Sequence, residues 1–132
     1  MKHGKMLTLA GAMAALLLLS GSQSAPAQDP AVVNAKTIRV KLENSRVRVL
    51  ETTLQPGDKE QLHSHPAYII YVISGGKARN HTPDGKVSES EFVTGETLYR
   101  EPLTHWAENI GTTTIHLILV ELKGPAGQPS GQ

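Results

Sequence analysis

The chain has 132 residues and no cysteine, and its three methionines, Met1, Met6 and Met13, all fall within the first 27 residues. Without cysteine there is no disulfide framework, thiolate nucleophile, zinc finger, iron–sulfur cluster or lipid-modified bacterial cysteine. Any metal site must be built from nitrogen and oxygen. An excess of charge of one sign is lacking too: 13 Lys and Arg stand against 12 Asp and Glu, for a net charge of +1. That balance excludes bulk electrostatic binding of nucleic acid. The sequence also lacks a twin-arginine pair, an internal repeat, a heptad pattern and a phosphate-loop motif. Its length allows one domain.

The first segment present is an address. Lys2 and Lys5 precede an apolar run of 13 residues, Leu7 to Leu19, and Ala25-Pro26-Ala27 follows a small polar stretch. This order predicts a secretory signal peptide over 1–27, cut after Ala27. The apolar run is too short to span ~30 Å of hydrocarbon. The exported chain would be periplasmic or secreted. Without the two leader lysines it carries 11 basic and 12 acidic residues, a net −1. No nucleic-acid partner is expected, and no membrane association after cleavage.

From Thr37 onward the apolar positions have period two and turn residues recur. Strands are predicted at 37–42, 46–54, 68–73, 77–82, 86–93, 97–100, 105–110 and 113–122. Pro56-Gly57-Asp58, Ser74-Gly75-Gly76, Pro83-Asp84-Gly85 and Gly95 punctuate them. Gly57, Gly76, Gly85 and Gly95 read as turn residues needing unusual backbone angles. Ile115, Leu117 and Leu119 share one face, with Ile118 and Val120 on the other, so the last strand is expected to be buried on both sides. The fold class is all-β, with about eight short antiparallel strands in a barrel or sandwich over residues 37–123. Residues 28–36 form a loose arm or an extra edge strand, able to pair with a second copy in a homodimer. The tail, 124–132, has too little apolar surface to order itself. The Asn80-His81-Thr82 triplet reads as surface hairpin.

Five histidines follow the leader: His63, His65, His81, His105 and His116. His63 and His65 are two apart, so on a strand both side chains point to one face with their Cα atoms about 7 Å apart, a gap two imidazoles can close around one ion. His81, beside a hairpin tip, and His116 are left outside the site. Trp106 has the opposite parity to His105 and is expected to pack outside.

Gly57, His63, His65 and Gly76, followed by Gly95, Pro102, His105 and Asn109, resemble the two motifs of the cupin family, G-x5-H-x-H-x3/4-E-x6-G and G-x5-P-x-G-x2-H-x3-N. The resemblance covers about residues 45–122, and is to small exported bacterial cupins of a single domain. It implies a jelly-roll β-barrel in which His63, His65 and His105 hold a divalent transition metal, whether Zn, Fe, Ni, Cu or Mn. Two positions depart from the pattern. Ile69 stands where the first motif has glutamate, and Arg100-Glu101-Pro102 replaces the P-x-G of the second.

Ile69 and Tyr71 share parity and would line the pocket. Glu101 is either a replacement carboxylate at the barrel mouth or a solvated loop residue. Asn109 is expected to hydrogen-bond backbone or a ligand's outer nitrogen and not to bind metal itself. The implied activity is that of a metal-dependent dioxygenase- or isomerase-like cupin acting on a small polar or anionic molecule. The alternative is a non-catalytic module, without metal, that binds a small molecule or a protein.

Overall fold

A computed structural model describes residues 28–124; the leader over 1–27 and all but the first residue of the tail lie outside them. The described residues form a short helix, α1 (Pro30–Val33), and nine strands: β1 (Ile38–Glu43), β2 (Val47–Leu54), β3 (His63–His65), β4 (Tyr68–Ser74), β5 (Gly76–His81), β6 (Val87–Phe92), β7 (Thr97–Arg100), β8 (Leu103–Asn109) and β9 (Ile115–Leu122). They make two antiparallel sheets, ordered β1-β2-β9-β4-β7 and β3-β8-β5-β6. From β2 onward the chain changes sheet at every connection except the β5–β6 hairpin, which winds the strands into a jelly roll.

Period-two patterning sets the interior. Leu50, Thr52 and Leu54 of β2 point inward, as do Ile115, Leu117, Leu119 and Glu121 of β9. Tyr68, Ile70, Val72 and Ala78 complete the core between the sheets. Each large apolar side chain buried here contributes about 1.5–3 kcal/mol. The outer face of β9 is half-buried and not enclosed: Val120 lies in register between Val49 and Ile69.

Residues 28–36 form no edge strand. Asp29 caps α1 by accepting the Ala31 N–H at 2.9 Å, and Pro30 occupies the first helical position, where its missing N–H costs nothing. At the other end of α1, Asn34 exchanges two hydrogen bonds with the backbone of Gln61, at 2.6 and 3.2 Å. It thereby fixes the entry to β3.

Gly85 closes the β5–β6 hairpin with φ +84°, as its turn requires. Gly76 does not have a positive φ, and space is the reason for glycine there. A Cβ would come within 2.8 Å of Ile115 Cγ1.

Candidate metal centre

β3 pairs antiparallel with β8, and the register sets His63 directly opposite His105. His65 is two residues along β3 on the same face. All three side chains therefore enter the barrel, at 1%, 5% and 7% exposure. The ring centroids are 4.7 Å apart for His63–His65 and His63–His105, and 5.6 Å for His65–His105. One ring nitrogen from each lies within 4.8 Å of the other two.

The outer nitrogens determine what the inner ones can do. His63 Nδ1 is 2.7 Å from the carbonyl oxygen of Gln61. His65 Nδ1 is 2.6 Å from Glu121 Oε1. His105 Nδ1 is 3.1 Å from Asn80 Oδ1, an amide whose Nδ2 donates to Ser90 Oγ at 3.2 Å. His63 Nδ1 also has the Asn34 amide Nδ2, a donor, at 3.1 Å, but the shorter contact is to the Gln61 carbonyl, which can only accept. With an acceptor closest to every Nδ1, each Nδ1 carries the proton and each ring in its neutral form turns a bare Nε2 inward. His63 Nε2 and His65 Nε2 then face one another at 2.9 Å with no hydrogen between them. Two lone pairs at that distance repel unless a cation stands between them. Two nitrogens held ~2.0–2.1 Å from one ion at right angles are about 2.9 Å apart. The residues present fit a divalent metal.

Burial keeps the His63 and His105 rings neutral. It depresses His63 to about 4 and, with the neighbouring His63 and His65 rings adding to it, His105 to about 3. Metal binding requires neutral imidazole, so at His63 and His105 a metal does not compete with protons near neutrality.

The cluster opens on a cavity of about 180 Å³ between the sheets, lined by Thr52, Glu60, Tyr68, Asn80, Arg100 and His105 among others. Arg100 is the only arginine or lysine in that lining. A larger cleft, about 820 Å³, runs past α1, Glu51 and His116 on the outside and touches none of the three histidines.

Three expected pocket residues lie elsewhere. Ile69 is half-buried on the outer face of β4, and Tyr71 is 49% exposed beside it. Pro66-Ala67 carries the chain from one sheet to the other, and the inward parity restarts at Tyr68, so Tyr68, Ile70 and Val72 face the interior. Glu101 is exposed, because parity does not carry across the break between β7 and β8 that Pro102 occupies. Asn109 serves backbone and not a histidine: its Nδ2 donates to Leu54 O and Thr113 O at 2.9 and 2.8 Å, and its Oδ1 accepts from Gly111 N. Asn80 is no surface hairpin residue but orients His105. His81 stacks on Trp106 at 3.6 Å, outside the cluster, and His116 pairs with Glu51 at 2.9 Å.

Glu60, Glu121, Asn80 and Arg100 have no counterpart among the sequence-based expectations for the site. Glu121 carries a signal, since it is a carboxylate in phase with Ile115, Leu117 and Leu119. Glu60 sits in a polar run, Asp58 to Gln61, that reads as solvated loop. Nevertheless it is only 7% exposed, and burial pushes its carboxyl up to about 8.

No protein-family model and no curated protein matches the chain. Solved structures do. A cupin domain protein from Bordetella pertussis is 27% identical, with 66% of this chain and 92% of that one covered, at a TM-score of 0.60. A conserved protein with a double-stranded β-helix domain from Klebsiella pneumoniae is 28% identical, covering 67% and 76%, at 0.50. A cupin-family protein from Methanocaldococcus jannaschii, 14% identical over 65% and 78%, shares the fold at 0.54. By its two-sheet barrel and these neighbours the chain has the fold of a small single-domain cupin.

Proposed function

We propose that the chain is an exported metal-binding cupin that holds one divalent transition ion through His63, His65 and His105. In this reading it binds or transforms a small anionic molecule in the adjoining cavity. One observation carries the metal: three buried rings whose Nδ1 atoms each have an acceptor as the nearest partner, which turns three Nε2 atoms toward one another. When bound, the ion supplies a Lewis acid that polarises a bound oxygen and acidifies bound water.

The remaining roles belong to the chain. A cavity of about 180 Å³ holds roughly six waters at ~30 Å³ each, which limits the ligand to a small one. Arg100 favours an anion. Among the described residues its only side-chain hydrogen bond is to the Tyr99 carbonyl, at 3.3 Å, so its guanidinium keeps most of its donors for a ligand. Tyr68, Ile70 and Phe92 give the cavity an apolar wall that excludes water and strengthens that attraction.

Zn²⁺ titration of tag-free protein with a chromophoric competitor tests the metal. One equivalent is expected to bind, and His105→Ala to bind about a hundredfold more weakly or not at all. Zn²⁺ uptake that His105→Ala leaves unchanged would overturn the assignment. The anion is tested by thermal shift of the metal-loaded protein with small mono- and dicarboxylates. Stabilisation that Arg100→Gln removes supports the reading, and stabilisation unaffected by Arg100→Gln contradicts it.

A further inference from the structure

The first cupin-like motif has no carboxylate on β4, where Ile69 faces outward and Tyr68 and Ile70 face in. A carboxylate nonetheless comes near the histidine cluster from the other side of the His63–His65 pair in sequence. Glu60, three residues before His63 on the segment between β2 and β3, has its Oε2 3.9 Å from His63 Nε2. Its backbone is fixed by the Glu60 N–H donating to Ala107 O at 2.8 Å, which ties this segment to β8, the strand that carries His105. The side chain lines the same cavity as His105.

Glu60 is more than nine-tenths buried, and among the described residues its carboxylate forms no ion pair with lysine or arginine. The other buried carboxylate, Glu121, is differently placed: His65 and Arg48 already flank it, at 2.6 and 3.9 Å. An ionised carboxylate beside three inward lone pairs is a grouping that a bound cation makes favourable. The spacing to His63 allows one ion to serve both, although Glu60 stands outside the three-histidine group whose ligand atoms lie within 4.8 Å of one another, so a turn of its side chain must bring it onto an ion held by all three. Two ligand atoms each ~2.0–2.1 Å from one ion lie at most about 4.2 Å apart.

We infer that Glu60 is the carboxylate ligand of the metal centre, entering from the segment before β3 where the family motif would use β4. The inference rests on the three-histidine reading. With neutral imidazoles, a divalent ion and one Glu60 carboxylate, the centre has a net charge of +1. That leaves the cavity attractive to an anion and gives Arg100 a second positive centre to work with.

Cobalt(II) titration of the tag-free protein tests this, since the visible absorption of Co²⁺ reports its ligand set independently of any activity. Glu60→Gln preserves shape and removes the charge. It is expected to weaken Co²⁺ binding about tenfold or more and to change the intensity of the absorption bands, while the exposed control Glu101→Gln changes neither. Glu60→Met, apolar and of similar volume, gives the same readings should Glu60→Gln not fold. Weakening of less than tenfold, or bands unchanged from wild type, overturns the assignment of Glu60 and leaves the histidines in place. No Co²⁺ uptake by the wild-type protein overturns both together.

Discussion

Replacing Glu121 by glutamine changes one charge in a position that is 4% exposed and leaves the shape intact. The carboxylate fixes which nitrogen of His65 carries the proton, across a 2.6 Å hydrogen bond. A glutamine amide accepts the same hydrogen bond without charge, and its NH2 group can equally well turn toward Nδ1. That turn drives the proton to Nε2 and blocks the metal. Charge-assisted hydrogen bonds contribute about 1.5–3 kcal/mol, and neutral ones about 1. The loss in the metal-free protein is therefore about 0.5–2 kcal/mol, or a fall in Tm of roughly 2–16 °C for a domain of this size. Arg48 loses a partner at 3.9 Å but keeps Asp29 at 2.9 Å, so it adds little. Metal affinity is expected to fall about 10- to 100-fold, the effect of removing an orienting carboxylate behind a ligating histidine. Competition titration with Zn²⁺ reads the affinity, and differential scanning calorimetry with chelator reads the stability. An affinity within threefold of wild type, with Tm lowered as expected, would show that Glu121 supports the barrel but does not set the tautomer of His65.

Other outcomes follow from the same geometry. Metal-free stability should peak near pH 6.5. Below it, unfolded histidines take up protons that folded His63 and His105 refuse down to about 4 and about 3, so stability is lost as pH falls. Folded Glu60 keeps its proton up to about 8 whereas the unfolded residue ionises near 4.5, so its contribution is lost as pH rises between those values. The limiting slope is about 1.4 kcal/mol per pH unit on either side, and urea unfolding with chelator across pH 5–8 measures it. A continuous rise from 6.5 to 8 would contradict the burial of Glu60. Ile69→Glu should leave Zn²⁺ affinity unchanged, since Ile69 faces away from the cluster; tighter binding would refute the outward placement of Ile69. Leu50→Ala, at a fully buried position, should cost about 2–5 kcal/mol in urea unfolding without changing metal stoichiometry. Asn109→Ala should cost about 2–3 kcal/mol by freeing the Leu54 and Thr113 carbonyls, again with one equivalent of metal retained.

Strand positions were legible because the interior needs apolar residues at period two. The turn residues between them mark where the chain changes sheet. The histidines were legible for the same reason: two apart on one strand, they cannot avoid sharing a face. What the pattern does not carry is parity across a break. Pro66-Ala67 and Glu101-Pro102 each reset it, which moved Ile69, Tyr71 and Glu101 to the outside and brought Tyr68 and Arg100 in. Glu60 was hidden for a different reason. Nothing local separates a buried carboxylate from a solvated one in a Lys-Glu-Gln run; its burial comes from β8, nearly fifty residues later. Likewise α1 is shorter than any periodicity could show, and its role is read from the side-chain bonds of Asn34 to Gln61.

Anomalous diffraction from crystals of the tag-free protein grown with Zn²⁺ locates the ion and its ligands in one experiment. A single strong peak is expected inside the barrel at ~2.0–2.1 Å from Nε2 of His63, His65 and His105. A barrel with no peak there, or a peak bound through any Nδ1 atom, would overturn the three-histidine site.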